Sequence, residues 1–159
     1  MGINGLEPQN PPMILIVDDT PINLQVLSGL LLEENYEIIA STSGKEALLL
    51  LDTILPDIIL LDVVMPDMDG FEVCERVKAF PKTADIPIIF LTAKTESEAV
   101  IKGFEIGAVD YVTKPFNSPE LLARVRTHLE LKRARDIQKE LIQKLREKTE
   151  ETARASEIV

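Results

Sequence analysis

The chain has 159 residues, of which 45% are apolar, and a net charge of −10. This length suits one compact domain with an appendage rather than two full domains, and the apolar fraction is sufficient for a buried core. The charge argues against nucleic acid as a direct partner, because phosphate backbones require a positive protein surface. The acidic residues are unevenly placed: residues 1–130 hold 9 Lys/Arg and 21 Asp/Glu, whereas residues 131–159 hold 8 and 6.

Cysteine content and hydropathy indicate a cytoplasmic protein. Cys74 is the only cysteine, which excludes an internal disulfide and fits a reducing compartment. No apolar stretch of the sequence approaches the ~20 residues of a membrane span, and the first dozen residues lack the features of a secretory signal. We therefore predict a cytoplasmic location and no membrane partner.

Short apolar runs alternate with helical patterns five times along the chain, which is typical of a parallel sheet covered by helices on both faces. Residues 1–12, with three prolines and two glycines, are predicted to be a flexible leader. The predicted strands are Met13–Val17, Tyr36–Ala40, Ile58–Leu61, Ile86–Leu91 and Val109–Val112. The predicted helices are Pro21–Glu34, Gly44–Ile54, Phe71–Phe80, Ser97–Ile106 and a last helix that begins around Ser118 and Pro119.

The last helix is predicted to extend well past the domain, because no proline or glycine follows Pro119. A continuous helix from Pro119 to Ala155 would be about 55 Å long, roughly twice what the domain needs. Beyond Glu130 the composition turns to Lys, Arg, Glu and Gln. We therefore predict a compact domain at residues 13–130 and a helical extension, a possible coiled coil, at residues 131–159.

Polar residues stand where four of the predicted strands end. They are the pair Asp18 and Asp19, then Asp62, Thr92 and Lys114. In an open α/β sheet the chemistry collects outside the carboxyl ends of the strands, so we expect these residues to meet in one pocket. Three carboxylates so near one another cannot all stay ionised unless a cation lies between them. Carboxylate oxygens are ligands that suit Mg²⁺. The pattern predicts a pocket for a metal and a phosphoryl group.

Four segments carry a resemblance to a known family: Ile14–Asp19, Leu60–Gly70, Leu91–Ala93 and Tyr111–Phe116. Together they resemble the receiver domain of two-component response regulators, over roughly Pro12 to Glu130. The resemblance implies a flavodoxin-like (βα)5 fold, a doubly wound parallel sheet with strand order 2-1-3-4-5, here with a long C-terminal helix. The extension resembles a linker that leads into a kinase or cyclase output domain.

The resemblance also implies a phosphoacceptor and a metal site. Asp62 is expected to take a phosphoryl group, as an acyl phosphate, from a sensor histidine kinase or a phosphotransfer protein. Asp19 is expected to bind Mg²⁺ directly and Asp18 to act through water. Asp62 and the backbone carbonyl of Val64 complete the expected protein ligands.

Four further residues are given roles by the same resemblance. Lys114 is expected to pair with one phosphoryl oxygen and Thr92 to donate its hydroxyl to another. The peptide bond before Pro115 is expected to be cis. Thr92 and Tyr111 are expected to act as a switch, in which the Thr92 hydroxyl moves toward the phosphoryl group and Tyr111 fills the space. The face around Tyr111 would then control an output domain or partner.

The remaining expectations concern turnover and the single histidine. In the family, the residues two beyond the acceptor and two beyond the threonine influence the attacking water, and here they are Val64 and Lys94. Because Val64 cannot orient water, we expect slow autodephosphorylation and a regulatory protein rather than a metabolic enzyme. His128 is predicted to be an outward helix residue and not a kinase site, since the chain has no Gly-rich phosphate loop.

Two other functions remain open at this point. A phosphatase of the haloacid dehalogenase type would place its nucleophile at the end of the first strand, where Asp18, Asp19 and Thr20 could mimic it, but this leaves Asp62 unexplained. A phosphorylation-independent interaction module is the other alternative, although every expected site residue is present.

The helical extension is predicted to form a parallel homodimer. Eight positions follow alternating three- and four-residue steps, the spacing of a coiled-coil seam. Only three of them are large and apolar, so the seam is weak and an isolated helix would be marginal. The positions are Leu131, Ala134, Gln138, Leu141, Leu145, Lys148, Thr152 and Ala155.

Overall fold

The computed structural model describes residues 10–93 and 97–157. Residues 1–9 of the predicted leader, and Lys94, lie outside the described residues. The strands are β1 (Met13–Val17), β2 (Glu37–Ser41), β3 (Ile58–Asp62), β4 (Ile88–Ala93) and β5 (Asp110–Lys114). The helices are α1 (Pro21–Leu32), α2 (Gly44–Leu50), α3 (Gly70–Ala79), α4 (Ser97–Glu105) and α5 (Ser118–Glu157).

The five strands form one parallel sheet in the order β2-β1-β3-β4-β5. The predicted flavodoxin-like (βα)5 fold with a long C-terminal helix is therefore confirmed. The central strand β3 is buried along its whole length, as its run of isoleucine and leucine indicates for a strand covered on both faces. Its last residue, Asp62, is the one charged residue among these apolar ones, and it ends the strand at the carboxyl edge of the sheet.

Alternate residues of the strands point into two separate apolar cores. On one face of the sheet, Leu15 and Leu61 pack with Val73 of α3. On the other face, Ile14 and Leu60 pack in a cluster that also contains residues of α1 and α5, which are Leu24, Leu27, Leu31, Leu121 and Val125. Because helices cover both faces of the sheet, polar side chains can collect at the ends of the strands.

The predicted strand boundaries are shifted by one residue at β2, which runs Glu37–Ser41, and further at β4 and β5. The Ile86 N–H donates to the Thr83 carbonyl in a turn, and Pro87 has no N–H to give to a neighbouring strand. The strand β4 therefore begins at Ile88, two residues later than predicted. At the other end, Ala93 pairs with Lys114, so β5 continues to Lys114 and carries that lysine to the carboxyl edge.

Several helix ends also differ from the prediction. The helix α1 ends at Leu32, and Asn35 then adopts a positive φ of 63°, a conformation that asparagine tolerates in turns. The helix α5 begins at Ser118, and its cap is Asn117 rather than Ser118. The Glu120 N–H donates to Asn117 Oδ1 at 3.1 Å.

The chain divides into two compact units, residues 1–129 and 130–159. The first unit contains the sheet, its covering helices and the first part of α5. Within the described residues, the second unit is the continuation of α5, and its side chains are almost all exposed. Among the helices that the structure describes, none is long and apolar enough to cross a membrane.

Candidate functional site

The acidic residues predicted at the strand ends meet at the carboxyl edge of the sheet. Strands β1 and β3 are neighbours with Val17 opposite Leu61, so Asp18 and Asp62 follow side by side. Asp18, Asp19 and Asp62 each offer a carboxylate oxygen within 4.8 Å of the others. Asp18 and Asp62 are buried, whereas Asp19 is exposed. The predicted convergence of the three carboxylates is observed.

Asp18 is held firmly by the start of α1. The Thr20 N–H donates to Asp18 Oδ1 at 2.9 Å, and the Asn23 amide donates to Asp18 Oδ2 at 3.2 Å. These bonds fix the carboxylate at the base of the site and satisfy its buried oxygens.

Lys114 reaches into the site from the end of β5. Its Nζ lies 3.0 Å from Asp62 Oδ1 and 3.3 Å from Asp18 Oδ2. Burial tends to lower the pKa of Lys114, but the hydrogen bond and charge of Asp62, together with the charge of Asp18, outweigh burial and raise it. The ammonium therefore stays charged. The Lys114–Pro115 peptide bond is cis, the conformation that the family resemblance implies.

Asp62 lies in an environment that resists its negative charge. Burial raises the pKa of Asp62 to about 6, and the neighbouring charge of Asp18 acts in the same direction. The hydrogen bonds from Lys114 and from the Val64 N–H oppose this shift. The ammonium of Lys114 already contacts both buried carboxylates, and a further cation would relieve their mutual repulsion. The donor set, all oxygen and mostly carboxylate, fits Mg²⁺.

A cavity of about 290 Å³ opens above these residues. Thr92, which is buried, and Val64, which is 64% exposed, lie on different parts of its wall. The cavity is lined by Asp19, Thr20, Asp62, Val64, Leu91, Thr92, Ala93 and Lys114. The structure thus brings the predicted acceptor, hydroxyl and ammonium to one space, together with one of the other two acidic residues.

The start of α3 presses against the backbone of Asp62. The Gly70 N–H donates to the Val63 carbonyl at 2.9 Å. A Cβ atom at residue 70 would collide with the carbonyl oxygen of Asp62, so this position has no room for a side chain. The hydrogen bond between Gly70 and Val63 closes the turn between β3 and α3, and the close approach leaves room only for glycine.

Thr92 and Tyr111 both line a second, narrow space. The Thr92 hydroxyl donates to the Ala93 carbonyl at 3.4 Å. The Tyr111 ring is half-buried and packs edge-on against Phe104 of α4, with 6.1 Å between ring centres. Both Thr92 and Tyr111 line the same space, with Phe104 and Ala108. The two predicted switch residues therefore border one common space.

The expectation that His128 points outward is wrong. His128 Nε2 lies 3.0 Å from Asp110 Oδ2, and the side chain is only 15% exposed. Arg124 donates to Asp110 Oδ1 at 2.6 Å, and its guanidinium lies 5.9 Å from the Tyr111 ring centre. The sequence did contain a signal for this shared contact with Asp110, because Arg124 and His128 are four residues apart and such residues share one helix face.

Comparison with known proteins settles the family. Residues 14–126 match the family model of the response regulator receiver domain. The chain belongs to this family. Receiver domains of solved structure share the fold: the chemotaxis response regulator CheY4 of Vibrio cholerae is 33% identical, with a TM-score of 0.71 over 75% of this chain and 99% of that one.

A longer structural match is the signal receiver domain of an HD domain-containing protein from Pseudomonas fluorescens Pf-5. It is 27% identical, with a TM-score of 0.77 over 84% of this chain and 98% of that chain.

Curated relatives of this receiver are longer proteins with different names. A Vibrio cholerae protein named "Probable cyclic di-GMP phosphodiesterase" is 48% identical over 78% of this chain, which is 28% of that protein. The response regulator PleD of Caulobacter vibrioides is 44% identical over 72% of this chain and 25% of its own length. The DNA-binding regulator RpaA of Synechocystis is 42% identical over 74% of this chain and 49% of its own length. The chain thus spans a quarter to a half of these relatives.

Proposed function

We propose that Asp62 accepts a phosphoryl group from a sensor histidine kinase or a phosphotransfer protein, in a Mg²⁺-dependent reaction. One observation carries the proposal: Lys114 Nζ lies 3.0 Å from Asp62 Oδ1, at a cavity where three carboxylates converge. Membership of the receiver family supports it. Asp62 ends the central strand of the sheet, where ligands of open α/β folds bind.

The transfer is a substitution at phosphorus by a carboxylate, which needs no base to remove a proton. Asp62 Oδ1 accepts from Lys114 and from the Val64 N–H, so Oδ2 is the proposed nucleophilic oxygen. An Asp62 O–P bond forms as the P–N bond of the donor phosphohistidine breaks. The leaving imidazole nitrogen keeps the bonding electrons and takes a proton from solvent.

Four residues are proposed to hold Mg²⁺. Asp19 and Asp62 would bind it through carboxylate oxygens, Val64 through its backbone carbonyl, and Asp18 through water. The spacing of the three carboxylates supports this assignment. When bound, the ion neutralises charge on the transferring oxygens. The N–H groups that hold Asp18 keep its carboxylate aimed at the site.

Lys114 and Thr92 are proposed to bind oxygens of the phosphoryl group once it is on Asp62. The ammonium of Lys114 is already 3.0 Å from the acceptor carboxylate, so it can pair with a new anion there. Thr92 lines the same cavity and carries a hydroxyl that can turn from the Ala93 carbonyl. Both groups would favour the phosphorylated state without taking part in bond breaking.

The proposed switch runs from Thr92 to Tyr111. Movement of Thr92 toward the phosphoryl group would enlarge the space that both residues line, and the Tyr111 ring would turn into it. Its edge-on contact with Phe104 would be lost, which changes the face formed by α4, β5 and α5. Such a change is a shift between two populated states.

The phosphatase alternative receives no support from the geometry. Its nucleophile would be at the end of β1, but Asp18 already accepts from Thr20 and Asn23 and pairs with Lys114. Both of its oxygens are therefore engaged. An interaction module without phosphorylation has no use for the buried Asp62 carboxylate and its partly buried partner Lys114, because burying charge is unfavourable without a compensating role.

We further propose a cytoplasmic regulatory phosphoacceptor in which residues 13–130 form the receiver domain and residues 131–159 form a helical extension that mediates a homodimer. The balance of −12 over residues 1–130 supports the absence of direct nucleic-acid contact by the receiver. The DNA binding named for RpaA belongs to a protein of which this chain matches about half. The linker character of the extension indicates that an output domain is controlled through it.

The experiment is incubation with Mg²⁺ and acetyl phosphate followed by intact mass. We expect one phosphoryl increment, which Asp62→Asn abolishes. Asp67→Asn is the matched control, because Asp67 is an exposed aspartate of the same loop with a positive φ of 68° that asparagine tolerates. It should keep the increment. A phosphatase would release phosphate and show no stable increment, and an increment that survives in Asp62→Asn would contradict the assignment.

A further inference from the structure

The second unit carries an exposed apolar stripe. Leu131, Ile137, Leu141, Ile142 and Leu145 are between 42% and 65% exposed. The other side chains of this segment are mostly charged or polar. Large apolar side chains that recur along one helix face are stabilised when another helix covers them.

The heptad positions of this stripe explain why it is wider than a minimal seam. The alternating steps place Leu131, Gln138, Leu145 and Thr152 at position a and Ala134, Leu141, Lys148 and Ala155 at position d. Ile137 then lies at g and Ile142 at e, on the two flanks of the seam. Arg135 also lies at e. Glu130 lies at g, one heptad before Ile137.

In a parallel in-register coiled coil, each g residue faces the e residue five positions later in the other chain. Ile137 then faces Ile142 of the second copy, so apolar meets apolar. Glu130 faces Arg135 of the second copy, so opposite charges meet. Both pairs occur twice in the dimer, and the polar Gln138 of the two chains meet in the seam, where a polar residue specifies register.

An antiparallel pair matches these residues less well. In that arrangement g faces g and e faces e, and the flanks set the orientation. In the described part of the extension, Ile137 is the one apolar residue at g and Ile142 the one apolar residue at e. One axial alignment of the two helices brings Ile137 opposite Ile137 of the second copy, and a different alignment is needed to bring Ile142 opposite Ile142. One of the two isoleucines would therefore always face a polar or charged residue.

We infer that the extension binds a second copy of this chain in parallel and in register, with Glu130 paired to Arg135 and Ile137 to Ile142 across the interface. This inference rests on the proposed homodimer and specifies its orientation, register and pairing. The charge pair and the apolar pair select the same alignment independently. The occupant of the stripe is therefore an identical helix rather than an unrelated one.

Charge reversal tests the Glu130–Arg135 pair on the full chain. Glu130→Arg and Arg135→Glu each create two repulsive pairs in their own homodimers and should raise the dissociation constant roughly tenfold. An equimolar mixture of the two variants restores attraction at both places, so it should form a heterodimer of near wild-type affinity by sedimentation. A mixture that dissociates as readily as the single variants would overturn the pairing.

Disulfide formation tests the register. Gln138→Cys places a thiol in the seam, where two identical residues meet, and should give a cross-linked dimer under mild oxidation. Gln143→Cys is the matched control at position f, on the opposite side of the helix, and should not cross-link. The native Cys74 is buried and does not compete. Equal cross-linking of the two variants, or none for Gln138→Cys, would contradict an in-register parallel pair.

The outcomes separate this inference from the proposals on which it rests. A chain that stays monomeric at high micromolar concentration overturns the homodimer and the register together. A dimer that fails the mixture and cross-linking tests overturns the register alone. Neither result affects phosphorylation of Asp62, which intact mass measures on the same protein.

Discussion

His128 Nε2 lies 3.0 Å from Asp110 Oδ2, which ties α5 to the first residue of β5. The same carboxylate accepts from Arg124 at 2.6 Å, one helical turn earlier. Tyr111, the next residue after Asp110, donates its own N–H back to Asp110 Oδ1 at 2.8 Å. Asp110 therefore links the proposed switch tyrosine to two residues of α5, within the first unit of the chain.

Loss of this link should weaken the fold. Asp110→Asn removes the charge that pairs with Arg124 and His128, and Asp110 is only 14% exposed. We expect the free energy of unfolding to fall by about 1–2 kcal/mol, because hydrogen bonds to charged groups are the stronger ones. Urea unfolding measures the change. Glu120→Gln is the control, because Glu120 also pairs with Arg124 but is 41% exposed, and it should cost less than about 0.5 kcal/mol.

The same contact should make stability depend on acid pH. Burial tends to raise the pKa of Asp110, but the hydrogen bonds from Arg124 and His128 outweigh burial and hold it below its usual value. A lowered folded-state pKa gives stability that is complete above the unfolded-state pKa and is lost as pH falls through the folded-state value. Wild type and Asp110→Asn should therefore differ most above about pH 4 and converge below it. A difference that grows on acidification would contradict the assignment.

Mg²⁺ should stabilise the folded chain. A ligand that binds only the folded state adds about 2.7 kcal/mol at a free concentration of about 100 times its dissociation constant. Thermal unfolding with Mg²⁺ and with a chelator measures the difference. Asp19→Asn removes a proposed ligand and should reduce the shift, whereas Asp67→Asn, also exposed, should retain it. Equal shifts in both variants would place the ion elsewhere.

Tyrosine fluorescence should report the switch. The chain has two tyrosines and no tryptophan, so Tyr36→Phe leaves Tyr111 as the single reporter. Adding Mg²⁺ and beryllofluoride should change its emission, because the ring leaves its contact with Phe104. Thr92→Val keeps the shape but lacks the hydroxyl, and it should abolish the change.

The control for the switch is Thr42→Val, which alters an exposed threonine after β2, at the opposite edge of the sheet from β5. It should preserve the response. A response that Thr92→Val leaves intact would separate Tyr111 from Thr92.

The phosphoryl group should be lost slowly. Val64 is 64% exposed at the edge of the cavity, and an apolar side chain there cannot position an attacking water. We expect a lifetime of minutes or longer by intact mass in Mg²⁺ buffer. Val64→Asn should shorten it severalfold, while Val64→Ile should leave it unchanged. A half-life of seconds in the wild-type chain would count against this account.

Strand ends were the most predictable part of this molecule. Asp18 and Asp62 each directly follow a buried apolar run, Lys114 ends the edge strand β5, and parallel strands bring their carboxyl ends to one edge. This is why the convergence of the carboxylates followed from sequence alone. The start of β4 could not be predicted in this way. Ile86 is apolar like the strand, but its N–H is bonded in the turn at Thr83 and Pro87 has no N–H for the sheet. Local hydrogen bonding decided that boundary.

The contacts of Asp110 could not be predicted in the same way. They depend on how closely α5 packs beside β5, which no local pattern specifies. From sequence, His128 is predicted to point outward because it lies near the end of the apolar stripe of the last helix. Arg124 and His128 both reach the Asp110 carboxylate because α5 packs close to the start of β5.

Gly70 limits how this sequence can change over generations. It carries no chemical group that acts on phosphate or metal, yet any side chain there would meet the backbone carbonyl of Asp62. A side chain at Gly70 would therefore displace Asp62, the proposed phosphoacceptor, without touching a reactive atom. A position with no reactive group thus constrains the sequence through the backbone of its neighbour, and we expect substitutions at Gly70 to be tolerated as poorly as those at Asp62.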